Sequence, residues 1–186
     1  SMPHVQSVSF GMWIGAGSRH ETDNIAGVSH FIEHLLFKGT KTLSARDISQ
    51  AIEGRGGYLN AFTQEESTCF FVRVACEQIW KAVDILTDMY LNPRFSREDI
   101  DKERRVILEE IMMYRDQPQH VVHEMLVKSL WKGHHLGRPV IGFEKTVGGM
   151  SRKDIRGYKS RMYVNRNTVF AFAGSVDHDK CVEKIQ

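Results

Sequence analysis

Within the pentapeptide His30-Phe31-Ile32-Glu33-His34, two imidazoles and one carboxylate fall at spacings that gather them on one side of a helix. Residues three and four apart on a helix are neighbours, so His30 and His34 close on one metal ion while Glu33 projects beside them. Zinc lowers the pKa of a bound water to about 7, and a carboxylate within reach then serves as general base on that water. The pattern points to metal-assisted hydrolysis. A chain with 9 histidines also meets such a pattern by chance, as two ordinary polar residues on a helix. Helical phase argues against that alternative. At about 100° per residue, Ile25, Val28, Phe31, Ile32, Leu35 and Leu36 gather on one side, and His30, Glu33 and His34 share an arc roughly opposite. With Phe37 added, the helix is apolar over most of its circumference, and polar groups buried within such surroundings need a partner.

A catalytic zinc takes three protein ligands and keeps a fourth position open, so the pentapeptide is one ligand short. The stretch Ser96 to Arg115 reads as a second long helix with Ser96 as its N-cap and a stripe of Ile100, Ile107, Ile111 and Tyr114. By the same phase, Glu109 falls opposite the stripe and faces solvent, whereas Glu103 and Glu110 lie on its shoulder, two turns apart. These two are the carboxylates drawn inward. The alternative is that they are surface acids paired with Arg104 or Arg105, the usual fate of a charged helix face.

His30-Phe31-Ile32-Glu33-His34, with Glu103 and Glu110 in Glu103-Arg104-Arg105-Val106-Ile107-Leu108-Glu109-Glu110-Ile111, resembles the inverzincin signature of the pitrilysin/insulinase metallopeptidases. Within that family it looks most like the bacterial processing-protease and mitochondrial processing peptidase beta-subunit branch. Further matches are Gly27-Val28-Ser29, Phe37-Lys38-Gly39-Thr40, the run Gly56 to Thr63 and the run His135 to Gly142, so the resemblance covers nearly the whole chain. It implies one zinc per chain held by His30, His34 and Glu110, with Glu33 as base and Glu103 supporting the site from behind the ligands. It also implies a zinc endopeptidase acting on extended peptides or presequences. A non-catalytic, peptide-binding partner subunit of the same fold is the competing reading, which the intact ligand and base positions disfavour. A structural zinc in an unrelated helical scaffold would leave Glu33 dispensable.

Gly57 to Thr63 follows a Gly-rich turn and reads as a short strand, with a second strand at Thr68 to Val74. The two suggest a hairpin. An exposed edge there would let an extended peptide add as an extra strand through main-chain hydrogen bonds. The resemblance places substrate on this edge, at Asn60, Ala61 and Phe62; on its own, Asn60 reads as a turn or strand-end residue.

These residues sit in a chain of 186 residues, 41% hydrophobic and 26% charged, which is enough for one globular domain with a real core. A net charge of +2 with both signs interspersed gives no nucleic-acid or membrane-surface signature. The cysteines Cys69, Cys76 and Cys181 lack Cys-x-x-Cys spacing and read as free thiols of a reducing compartment, the bacterial cytoplasm or the mitochondrial matrix. No apolar run reaches the 18 or so residues that span a bilayer.

The patterns predict strands at Val5 to Gly15, Gly57 to Thr63, Thr68 to Val74 and Thr168 to Gly174. Helices are predicted at Asn24 to Phe37, Ser44 to Glu53, Cys76 to Leu91, Ser96 to Arg115, from Pro118 to Trp131, Ser151 to Met162 and after Asp177, with Gly133 to Gly149 loop-like. Strands enclosing a run of helices fit an α+β domain, helices packed on a largely antiparallel sheet. His120-Val121-Val122-His123-Glu124 holds another His pair with no third ligand suggested. His134-His135 reads as a loop pair, and Phe70, Phe71, Trp80, Tyr90 and Trp131 as core or inter-domain packing. Gly11 to Gly17 lacks the Lys-Ser/Thr of a phosphate loop. The resemblance makes residues 1–186 the first, metal-bearing half of a clam-shell protein, cut at both ends and lacking an opening strand. A second domain or subunit of similar fold is the expected partner, and an open sheet edge makes a homodimer possible.

Overall fold

The computed structural model describes residues 2–186. Alternation along β1 (Ser7–Ile14) sets the layers: Val8, Phe10, Met12 and Ile14 point one way and are at most 1% exposed, while Trp13 points the other and is 40% exposed. Beside β1 run β3 (Thr68–Ala75) and β4 (Thr168–Gly174), both antiparallel, and β2 (Tyr58–Thr63) pairs antiparallel with β3. The order β2-β3-β1-β4 leaves β2 and β4 at the edges of the sheet. The register carries one apolar face across it: Phe10 stands opposite both Val72 and Phe172, and Met12 opposite Phe70 and Phe170.

Helices cover that face. The apolar stripe of α1 (Val28–Leu36) is buried as its phase requires, with Phe31, Ile32, Leu35 and Leu36 at most 1% exposed. α2 (Ala45–Ile52) and α3 (Ile79–Leu91) complete the layer through Ile48, Ile52, Val83 and Leu86. α4 (Arg97–Arg115) is capped by Ser96, whose hydroxyl accepts the Asp99 N–H at 3.0 Å, and packs on α1 through Ile100, Ile107 and Ile111. α5 (Pro118–Leu130) opens with proline at its first turn and buries none of its residues. α6 (Glu144–Gly149), α7 (Arg152–Met162) and α8 (His178–Ile185) follow, β4 lying between the last two. The α+β architecture with helices on an antiparallel sheet is the expected one.

Two elements depart from expectation. The metal helix starts at Val28 and not at Asn24, because Gly27 adopts φ 94°, and a Cβ there would lie 2.6 Å from the Ile141 carbonyl oxygen. The segment Gly133 to Gly149 contains a 3-10 turn at His135–Gly137 and the helix α6. Two glycines in six residues hid α6 from propensity; burial of Val147 and a Thr146 hydroxyl donating to the Ala26 carbonyl at 2.7 Å hold it in place. Of the two readings given for Trp131, its 47% exposure excludes the core and leaves inter-domain packing.

Candidate metal centre

The helix that carries the pentapeptide is anchored by a buried acid. Glu21, 1% exposed, accepts the backbone N–H groups of Gly27 and Ser29 at 2.7 and 2.8 Å, satisfying two orphan donors at the start of α1. The Ser29 hydroxyl in turn bonds the Tyr158 hydroxyl of α7 at 2.9 Å. With the stripe of α1 pressed onto the sheet, His30, Glu33 and His34 emerge half-buried on the other side, facing α4.

There they meet Glu110. His34 Nε2 lies 3.6 Å and His30 Nε2 3.8 Å from Glu110 Oε2. Ligand atoms of His30, His34 and Glu110 all lie within 4.8 Å of one another, the one such cluster among the described residues. Glu103, one heptad earlier on α4 and 5% exposed, takes the opposite side of the imidazole: His34 Nδ1 approaches its Oε2 at 3.1 Å. With Nδ1 donating, Nε2 presents a lone pair towards Glu110. Lys38, one turn beyond His34, closes on Glu103 Oε1 at 2.9 Å. Arg104 avoids both acids, donating to the Met150 carbonyl and lying over the Phe31 ring, and Glu109 faces solvent.

The electrostatics favour a metal. Burial, helped by the neighbouring His34, lowers the His30 pKa to about 3, so the imidazole is neutral, as ligation requires. Its Nδ1 is buried with no hydrogen-bond partner, and its Nε2 is too far from Glu110 for a hydrogen bond. An imidazole this poorly partnered costs stability in the metal-free protein, and two nitrogens with one carboxylate oxygen are a donor set zinc takes. Burial pushes the Glu33 carboxyl above its ordinary range, against the pull of the Thr63 hydroxyl and His34. Thr63 donates its hydroxyl to Glu33 Oε2.

The cluster lies at the floor of a cleft of about 540 Å³ whose walls come from β2, α4, α5 and the segment Gly137 to Phe143. Ala61 and Phe62 line it and Asn60 does not. Asn60 sits on the far face of β2, its Oδ1 accepting the Ala61 N–H at 2.8 Å and its Nδ2 donating to the Tyr58 hydroxyl at 2.6 Å. His120, His123 and Glu124 of α5 also line the cleft, with His120 stacked on Tyr114 at 4.2 Å. Their i, i+3, i+4 spacing right after the acidic helix was the available signal that α5 faces the same space. Glu21, Lys38 and Thr63 had no such signal, since each acts through a contact that closes only in three dimensions.

Comparison with known proteins gives this geometry a family. Residues 1–144 match the insulinase family, peptidase family M16. The chain is 44% identical over 185 residues to an uncharacterized zinc protease of Mycobacterium leprae, an alignment covering all of this chain and 42% of that protein. It is 42% identical over 184 residues to the uncharacterized zinc protease YmxG of Bacillus subtilis, covering 98% and 45%. A crystal structure of a protease from Helicobacter pylori superposes with a TM-score of 0.93 at 24% identity, covering 98% of this chain and 45% of that one. The chain thus spans less than half the length of the curated relatives it matches. On a family match over most of its residues and relatives above 40% identity, the chain belongs to the insulinase family of peptidases, M16.

Proposed function

We propose that this chain is the zinc-bearing part of an endopeptidase that hydrolyses extended peptides. His30, His34 and Glu110 would hold one zinc, and the observation that carries the reading is the convergence of their ligand atoms beside Glu33, in a cleft bordered by the β2 edge. Zinc, when bound there, supplies a Lewis acid that polarises the scissile carbonyl and acidifies the attacking water. Glu33 takes the water proton on a carboxylate oxygen as the water oxygen forms its bond to the carbonyl carbon, and delivers that proton to the amine nitrogen as the C–N bond breaks. Glu103, held by Lys38, keeps His34 in the tautomer with a free Nε2 lone pair. A peptide laid along Asn60, Ala61 and Phe62 gains main-chain hydrogen bonds from an edge strand with no strand on its outer side. Small Ala61 lets its backbone come close.

The family's processing branch suggests presequence-like peptides as substrates and a second domain or subunit of related fold as the other wall of the cleft. Self-association through the free outer edge of β4 is a further possible assembly. The three free cysteines accord with a reducing compartment, and the bacterial relatives favour the bacterial cytoplasm over the mitochondrial matrix. No helix among the described residues is long and apolar enough to cross a membrane.

Peptide cleavage by Glu33→Gln in the full-length protein tests the reading. The variant is expected to retain zinc and lose cleavage by at least about a hundredfold, in the range of general-base contributions. Zinc retained with cleavage unchanged would contradict the assignment of the base.

A further inference from the structure

Glu33 receives one side-chain hydrogen bond among the described residues, and it comes from the strand that would carry the peptide. The donor is the hydroxyl of Thr63, 30 positions away and the last residue of β2. Thr63 stands opposite Thr68, in the row that continues through Ile14 to Thr168, which puts it on the helix-covered face of the sheet. Ala61, two residues earlier and so on the same face, lines the same cleft.

The anchorage of Thr63 is firm. Its partner Thr68 is fully buried and donates to the Ala16 carbonyl at 2.7 Å. Just past Thr63 the hairpin is closed by the Gln64 N–H donating to the Ser67 carbonyl at 2.8 Å, and Arg19 N–H holds the Glu65 carbonyl at 2.8 Å. A β-branched side chain on a paired strand has little χ1 freedom, so the hydroxyl is a fixed point. A glutamate, with three rotatable bonds, is not fixed until something holds it.

We propose that Thr63 is the positioning residue of the base. Its hydroxyl occupies one oxygen of Glu33 and leaves the other for the attacking water. Because Thr63 and the Asn60-Ala61-Phe62 edge belong to one strand, the same element sets the peptide and the base in register. Positional errors of about 1 Å near reacting atoms cost roughly a hundredfold, so this coupling matters for rate more than for affinity. The inference deepens the peptidase reading and rests on it.

The test compares wild type, Thr63→Val and Thr63→Ser as zinc-loaded full-length protein, with the second domain or subunit present, on a fluorogenic peptide library. A parallel thermal-unfolding cycle pairs Thr63→Val with Glu33→Ala in zinc-free protein. Thr63→Val is expected to bind zinc as wild type does, with KM within about twofold and kcat lower by roughly 10- to 100-fold, while Thr63→Ser stays within about threefold of wild type. In the cycle, Thr63→Val should lower Tm by about 2–4 °C when Glu33 is present and by much less when it is Ala. A Thr63→Val protein with kcat within twofold of wild type, a loss confined to KM, loss of zinc, or equal Tm shifts in both backgrounds would each overturn the proposal. A zinc-loaded wild type that cleaves nothing overturns the peptidase reading instead, and the Tm cycle then decides alone whether Thr63 holds Glu33.

Discussion

His30 is neutral in the folded, zinc-free protein down to about pH 3, whereas an exposed imidazole protonates near 6.5. Between those values the unfolded chain binds one more proton than the folded one, so acidification withdraws stability, by up to roughly 1.4 kcal/mol per pH unit. Glu33 and Glu21, both raised by burial, act with the opposite sign just above their ordinary range, since there the folded state holds the extra proton. Comparison with His30→Asn isolates the histidine. The zinc-free variant should show a shallower fall in Tm from pH 6.5 to 5 than wild type, and parallel curves would contradict the burial argument. At this scale the pentapeptide was legible because helical phase alone takes His30, Glu33 and His34 off the apolar stripe. The division of labour between Glu103 and Glu110 was not legible from phase. One heptad apart, they differ by only about 20° around the helix, and only the contacts with His34 send one to Nδ1 and the other towards Nε2.

The elements that position these residues were read best where local signals agree. Ser96 caps α4 and Ser44 caps α2 as their sequences require, and the β2–β3 hairpin forms where two strand patterns flank a short polar turn. α1 was read with the right face and the wrong beginning, because its cap is not a neighbour. Glu21 reaches over a 3-10 turn to do what a Ser or Asp at the N-cap does elsewhere. Glu21→Ala would leave two backbone N–H groups unsatisfied at a buried helix start. The expected loss is about 2–4 kcal/mol by denaturant unfolding of the zinc-free protein, with zinc binding weakened as α1 loosens. A loss below about 0.5 kcal/mol would mean that water or a neighbouring group replaces the carboxylate.

For the molecule as a whole, one face of the sheet carries the core and the other carries exposed aromatics: Trp13 packs edge-on against Phe62, and Tyr58 lies 46% exposed beside Phe71. α5 adds Val122, Met125, Leu126 and Leu130, each more than half exposed. This much open apolar surface accords with a chain that spans less than half the length of its relatives, and with a proposed second wall to the cleft. With none of its residues buried, α5 should exchange its amide hydrogens well before α4 when the chain is alone; equal protection of the two would show that α5 is held by more than its contacts with α4 and the His135–Gly137 turn. The fold class followed from strands at both ends enclosing helices. That β2 is an edge came only through the family resemblance, and that β4 is the other edge was beyond the sequence, because sheet order depends on long-range pairing that no local pattern encodes.

The proposed chemistry requires His30, His34 and Glu110 to hold one zinc. Zinc per chain would be measured by elemental analysis, after dialysis against a weak chelator, on wild type, Glu33→Gln and Glu110→Gln. One zinc in the first two and little in the third is the predicted result. A well-folded wild type without zinc, or a Glu110→Gln protein that keeps it, would contradict the three-ligand site.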